Sequence, residues 1–370
     1  MRKFVGLNLI FFAVAYGQSP KLWNGLKPGP FAVGFKIINT RDSLRTVEAL
    51  GSIRPIQIGV WYPASAISTR MTYGDYIAYS FKETDLTEMT TDDQIKSMDV
   101  YGKFLESNGI PAKAIQDWFG SEMLASLNAK EADGVFPLVI VAQGNFHSAH
   151  HQAVLAEFLS SYGYVVATSP SQTKISGPLK SNAEVLPSAI DQKKDMEMIE
   201  KQLRQCSFVD KEKTAIVAHS LGARAGLVFV NDHPSTMAFV SLDGGIGNKI
   251  GKEWISGWNE FNPQFVRTPI LHFYEDIEEF IVPDFELIES LQHCERYIVK
   301  IDSMHHYYFS SLGFVAAAIP EFDPTSGKDL ASNCNRIAVE TLHFLDACVK
   351  KDSKNFVISA GSYSRYLKAK

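Results

Sequence analysis

From residue 136 onward, short apolar runs alternate with stretches of helical spacing. PLVIVA at 137–142 is a continuous apolar run, as expected of a strand buried on both faces. Further short runs at 164–167, 214–218, 238–242, 270–274 and 297–301 read as strands. Between them, 150–162 and 189–205 space apolar residues as helices do, with Met196, Ile199 and Leu203 on one face of the second, and 336–349 closes the series as a helix. This alternation predicts an α/β fold with a mostly parallel central sheet and helices on both faces.

Before this body, 31–39 and 55–62 mix Val, Ile and aromatics with polar residues and predict two half-buried antiparallel strands. Residues 65–133 are richer in Asp, Glu, Lys, Ser and Thr. Helical spacing over 93–108 and 112–127 predicts a helical insertion lying over the body. The aromatics Tyr73, Tyr76, Tyr79 and Phe81 are expected to shape an apolar pocket there.

The first residues depart from both patterns. Met1-Arg2-Lys3 precedes an apolar run over 4–15 and then Tyr16-Gly17-Gln18. A basic start, about a dozen apolar residues and a small-residue exit form a secretory signal peptide. The run is shorter than the roughly 20 residues that span a bilayer. The expected organisation is a signal peptide at 1–17 and one domain over 18–370, secreted or periplasmic, with no stable membrane insertion.

Composition narrows the function. The net charge is −5 over 370 residues, so no basic field exists to hold a phosphate backbone, and nucleic acid is not expected as a partner. Cys206, Cys294, Cys334 and Cys348 contain no Cys-x-x-Cys spacing. They could form up to two disulfides in an oxidising compartment or stay free and buried. His147 and His151, with His150 between them, have metal-compatible spacing, but no Glu-centred motif or third ligand accompanies them.

In sheets of this kind the ligand crevice lies at the carboxyl ends of the strands. After the strand at 214–217 comes Ala218-His219-Ser220-Leu221-Gly222, then an apolar helix over 223–230. A Ser at a sharp strand-to-helix turn stands clear of the sheet, with small residues two before and two after because strand and helix pass closely. The helix N-terminus adds free N–H groups where an oxyanion would form. Ser220 is the candidate nucleophile.

A serine hydroxyl needs a base, and the base needs an orienting acid. Of the later histidines, His272 and His343 read as packing residues. His305 and His306 directly follow the last strand and are both candidates for the base. Asp243, followed by Gly244-Gly245, and Asp276, within an acidic run at 275–279, are candidates for the acid. The Gly pair after Asp243 would let the chain turn sharply and aim its carboxylate. The oxyanion hole is expected from the main-chain N–H groups of Leu221 and of Asn145, which follows Gly144 in the loop after 137–142.

Four segments together resemble an α/β-hydrolase of the platelet-activating-factor acetylhydrolase-like branch, close to dienelactone-hydrolase-like esterases. They are LKPGPF at 26–31 with VWYP at 60–63; FPLVI at 136–140 with Gln143-Gly144 and LSSYGYVVA at 159–167; the Ser220 turn with Leu242-Asp243-Gly244; and HYYFS at 306–310 with FLDA at 344–347. The resemblance covers most of 21–350, the insertion excepted. It implies an acid on the strand after the helix that follows Ser220, hence Asp243, and a base followed three residues later by Phe, hence His306. The family usually has His-Gly where this chain has Gln143-Gly144, and Gly where it has Ala218. Lipases with Ala-His-Ser-x-Gly share the second departure.

The expected activity is hydrolysis of small-molecule or lipid-like carboxylic esters with short-to-medium acyl groups, through an acyl-enzyme and with no cofactor. Rivals are an acyltransferase or peptidase with the same triad, and a non-catalytic binding protein on the same scaffold. The export reading predicts that protein recovered outside the cytoplasm begins near Gln18 by N-terminal sequencing. Recovery there with Met1 intact would overturn it.

Overall fold

The computed structural model describes residues 19–66, 68–352, 354, 356 and 365–370. The expected signal peptide and its cleavage point lie outside these residues.

The long β1 (Ala32–Val47) and β2 (Ser52–Ala64) pair antiparallel as expected, but β2 is buried along its whole length from residue 54, not half-buried, because β1 and the strand Val165–Thr168 flank it and the core covers both faces. β3 (Arg70–Thr72), β4 (Glu122–Leu127), β5 (Phe136–Ala142), β6 (Val165–Thr168) and β7 (Val209–His219) follow. β8 (Phe239–Leu242), β9 (Ile270–Tyr274), β10 (Arg296–Lys300) and β11 (Arg365–Leu367) complete a sheet. Its order is β11-β10-β9-β8-β7-β5-β6-β2-β1-β4-β3. The six central strands from β6 to β10 run parallel.

Side chains alternate across these strands into two cores. In β5 and β7, Val139, Val141, Ala215 and Val217 pack on one side. Leu138, Ile140, Ala142, Ile216 and Ala218 pack on the other. Burial on both faces explains why these strands read as unbroken apolar runs.

Two further expectations are corrected. The helical spacing over 112–127 holds only for Ala112–Phe119. The chain turns at Gly120 and enters β4, which pairs parallel with β1, so the insertion extends the sheet as well as covering it. Arg365–Leu367, which no strand was expected to include, contributes β11, antiparallel to β10. Three residues are too few for a periodicity to reveal a strand.

Glu157, on the helix Ala153–Ser161 and wholly buried, fastens the insertion. Its carboxylate accepts from Leu124 N at 2.8 Å and Ala125 N at 2.9 Å in β4, and from Tyr76 Oη at 2.6 Å and Trp23 Nε1 at 3.3 Å. Tyr76 Oη in turn accepts from Trp61 Nε1 at 3.0 Å. The four cysteines are free, with Cys294 and Cys334 buried.

Replacing Glu157 by Leu strands two main-chain N–H groups, an indole and a phenol. Each orphaned buried group costs about 1–3 kcal/mol, so Glu157→Leu should lower stability by about 3 kcal/mol or more in urea titration. Glu157→Gln, which keeps an acceptor oxygen, should lose less. Equal stability of Glu157→Leu and the parent would show that the carboxylate does not fasten the insertion.

Candidate active site

The turn after β7 is sterically crowded. Ser220 adopts φ +52°, a left-handed conformation uncommon for a residue with a side chain. It is held there by Ser220 N donating to Leu242 O at 3.2 Å and by Gly245 N donating to Ser220 O at 2.9 Å. A Cβ at position 222 would collide with the Ala142 carbonyl, so the helix Gly222–Asp232 can begin so close to β5 only with glycine there.

Asp243 leaves the end of β8, also with positive φ (+43°). Its N–H donates to Phe273 O at 2.9 Å. A Cβ on the next residue, Gly244, would run into Ser241 Oγ and Ala223 Cβ. The glycine lets the loop fold back beneath Ser220.

The structure brings Ser220, Asp243 and His306 together. His306 Nε2 lies 2.8 Å from Ser220 Oγ, and His306 Nδ1 lies 2.5 Å from Asp243 Oδ2. Asp243 Oδ1 accepts from Glu275 N at 3.3 Å. A carboxylate at Nδ1 fixes the proton there and leaves Nε2 as the acceptor facing the serine hydroxyl. Burial pushes the Asp243 carboxyl above its ordinary range, against the hydrogen bond and charge of His306.

The alternative candidates lie elsewhere. His305 Nδ1 sits 3.0 Å from Glu278 Oε1 and is half exposed, so it ties down the 275–281 loop. Phe280, on that loop, meets His306 edge to face at 6.2 Å between ring centres. Asp276 pairs with Lys300 at 2.7 Å.

The main-chain N–H groups of Leu221 and Asn145 meet no acceptor among the described residues. Asn145 is braced from its side chain, whose Oδ1 accepts from Thr173 Oγ1 at 2.7 Å, while Phe146 N donates to the same hydroxyl at 3.2 Å. A Cβ on Gly144 would lie 2.7 Å from His219 Nδ1, so this loop too approaches the turn only as glycine.

A cavity of about 200 Å³ opens over Ser220 and His306, walled by Leu179, Ile250, Phe280 and Ile281. The insertion aromatics do not line it, contrary to expectation. Tyr73 and Tyr76 are wholly buried in the core, Tyr79 packs against it, and Phe81 faces solvent. Their scatter in sequence concealed that the tyrosines fill the seam beneath the insertion.

Sequence reasoning also missed a row of stacked histidines behind His306. Ring centres run from His306 to His219 (5.0 Å), His147 (5.2 Å), His151 (3.9 Å) and His150 (4.0 Å). Their one signal was the His147, His150, His151 cluster. Both ring nitrogens of His150 are buried without a partner. Burial and mutual repulsion hold His147, His150, His151 and His219 well below the ordinary histidine range. Among the described residues no group of His, Cys, Asp and Glu is arranged to hold a metal ion.

The same architecture occurs in a solved structure. The ferulic acid esterase of Streptomyces cinnamoneus superposes with a TM-score of 0.62 at 15% identity, over 91% of this chain and 97% of that one. The chain has the α/β-hydrolase fold. No family model and no curated protein matches the sequence. In this fold the Ser220 turn lies between the parallel strand β7 and the helix Gly222–Asp232.

The neutral histidine row sets a pH dependence of stability. Above about pH 6.5 neither the folded nor the unfolded chain protonates these rings. Below it the unfolded chain takes up protons that the folded rings refuse, so stability falls on acidification, by up to about 1.4 kcal/mol per pH unit per ring. Glu83 and Glu157, raised by burial, act in the opposite sense. The urea midpoint should therefore drop between pH 7.5 and 5.5, and His150→Phe should flatten that slope. An unchanged slope in the variant would show that His150 is not held neutral.

Proposed function

We propose that the protein is an exported serine hydrolase of carboxylic esters, of the platelet-activating-factor acetylhydrolase-like or dienelactone-hydrolase-like kind. The observation that carries this reading is the continuous relay from Ser220 Oγ through His306 (2.8 Å) to Asp243 (2.5 Å). An esterase on the same fold supports it.

In the proposed reaction, Ser220 Oγ attacks the ester carbonyl as its proton passes to His306 Nε2. Asp243 stabilises the imidazolium and holds its orientation. The negative charge forming on the carbonyl oxygen is met by the N–H groups of Leu221 and Asn145. Collapse expels the alcohol, which takes the proton from His306. Water, deprotonated by His306, then attacks the acyl-enzyme, and the acid leaves as Ser220 recovers its proton. Every group used belongs to the chain, and no cofactor enters.

The cavity of about 200 Å³ is smaller than the roughly 300–1,000 Å³ of drug-sized ligand sites, which favours short-to-medium acyl groups. Among the described residues no helix is long and apolar enough to cross a membrane. The basic and apolar N-terminal residues supply the export half of the reading.

A fluorophosphonate should add once to the protein by intact mass, and Ser220→Ala should abolish the adduct. Ester hydrolysis should fall by at least ~10³-fold in Ser220→Ala and on the order of 10³–10⁴-fold in Asp243→Asn. His305→Asn should lose far less than His306→Asn. No adduct on folded protein would overturn the serine-hydrolase reading and favour a binding scaffold. Transfer to added alcohols or amines in preference to water would make the enzyme an acyltransferase.

A further inference from the structure

Arg224 lies one turn beyond Ser220, on the helix Gly222–Asp232, and its side chain walls the same cavity as Ser220 and His306. No carboxylate pairs with it among the described residues, and none of its guanidinium nitrogens meets a hydrogen-bond acceptor there. Its Nε is fully buried and unpartnered. Burial lowers its pKa to about 10, which still leaves a cation at neutral pH.

The site makes room for this cation. The guanidinium packs over Gly245, where a Cβ would lie 2.6 Å from Nε and 3.0 Å from Nη2. The acid sharing the cavity, Asp243, is already engaged by His306 and by Glu275 N. Asn248, also in the wall, uses Oδ1 to accept from Gly251 N at 2.9 Å and leaves its Nδ2 donors without an acceptor among the described residues. A half-buried guanidinium with no internal counter-ion among the described residues, facing a cavity beside a nucleophile, is matched by an anion that accepts its paired N–H groups.

We propose that Arg224 is a specificity-determining residue that binds a carboxylate carried by the substrate, a few bonds from the scissile ester. The inference rests on the ester-hydrolase reading and names its substrate class as anionic esters, such as half-esters of dicarboxylic acids or esters of hydroxy acids.

Two matched pairs test it: monomethyl glutarate against methyl hexanoate, and 4-acetoxybutanoate against butyl acetate. The parent protein should favour the anion in kcat/KM by at least ~10-fold in one pair. The pair that responds assigns the carboxylate to the acyl or the alcohol side. Arg224→Leu should bring that ratio to about one, and Arg224→Lys should restore part of it. A merely structural Arg224 would lower both members of a pair alike. Parent protein showing no anion preference in either pair overturns the proposal and leaves the hydrolase reading standing. Binding is read separately, by calorimetric titration of monomethyl glutarate into Ser220→Ala. It should weaken at least ~10-fold when Arg224→Leu is added, and equal affinities overturn the proposal. If nothing is hydrolysed and no fluorophosphonate adduct forms, yet that Arg224-dependent binding is present, the hydrolase reading falls and the anion site stands.

Discussion

The close approach of β5, the helix after β7 and the loop after β8 at one point governs the site. At that point the carbonyl of Ala142 leaves no room for a side chain on residue 222, and Ser241 and Ala223 leave none on residue 244. The crowding forces Ser220 into a left-handed conformation, which lifts its hydroxyl out of the sheet. It also sets the Leu221 N–H beside the Gly144–Asn145 loop, which itself comes near only because residue 144 has no Cβ. The positions of Ser220, Asp243 and the Leu221 and Asn145 N–H groups are therefore consequences of one packing constraint. The strain at Ser220 is tolerated because two main-chain hydrogen bonds and the surrounding core fix the turn.

Electrostatics around this point are set by burial. Asp243 is almost wholly enclosed, and its two oxygens are used by His306 and by a main-chain N–H, so its charge is directed at the imidazole. Behind His306 the row of histidines presents neutral aromatic faces. The 275–281 loop, held by His305 on Glu278, lays Phe280 against the ring from the solvent side. His305 thus acts on the surroundings of its neighbour, His306.

What could be read from the sequence was what is local. The elbow is contiguous, its apolar strand and helix flank it, and its glycines report crowding directly. The central strands are legible because burial on both faces leaves no polar position within them. The choice between His305 and His306 was not local. The two rings leave adjacent residues in different directions, and the start of the 3₁₀ turn at His306 decides which meets Ser220. β4 was hidden because its exposed ends and apolar middle continue the preceding helical spacing, and only pairing with β1 reveals it. Arg224 carried no motif. Its significance lies in partners it lacks, which becomes visible only when every neighbour is in place.

The carboxylate of Glu157 gathers groups separated by as many as 134 positions in the chain, from the leading segment, the insertion and β4. Each of those donors is satisfied only when its own segment meets the Glu157 carboxylate. Opening the insertion would break the bonds of Glu157 to Tyr76 and to β4 at the sheet's edge. Gene shuffling that trims or swaps residues 65–133 would therefore remove part of the scaffold that Glu157 ties together.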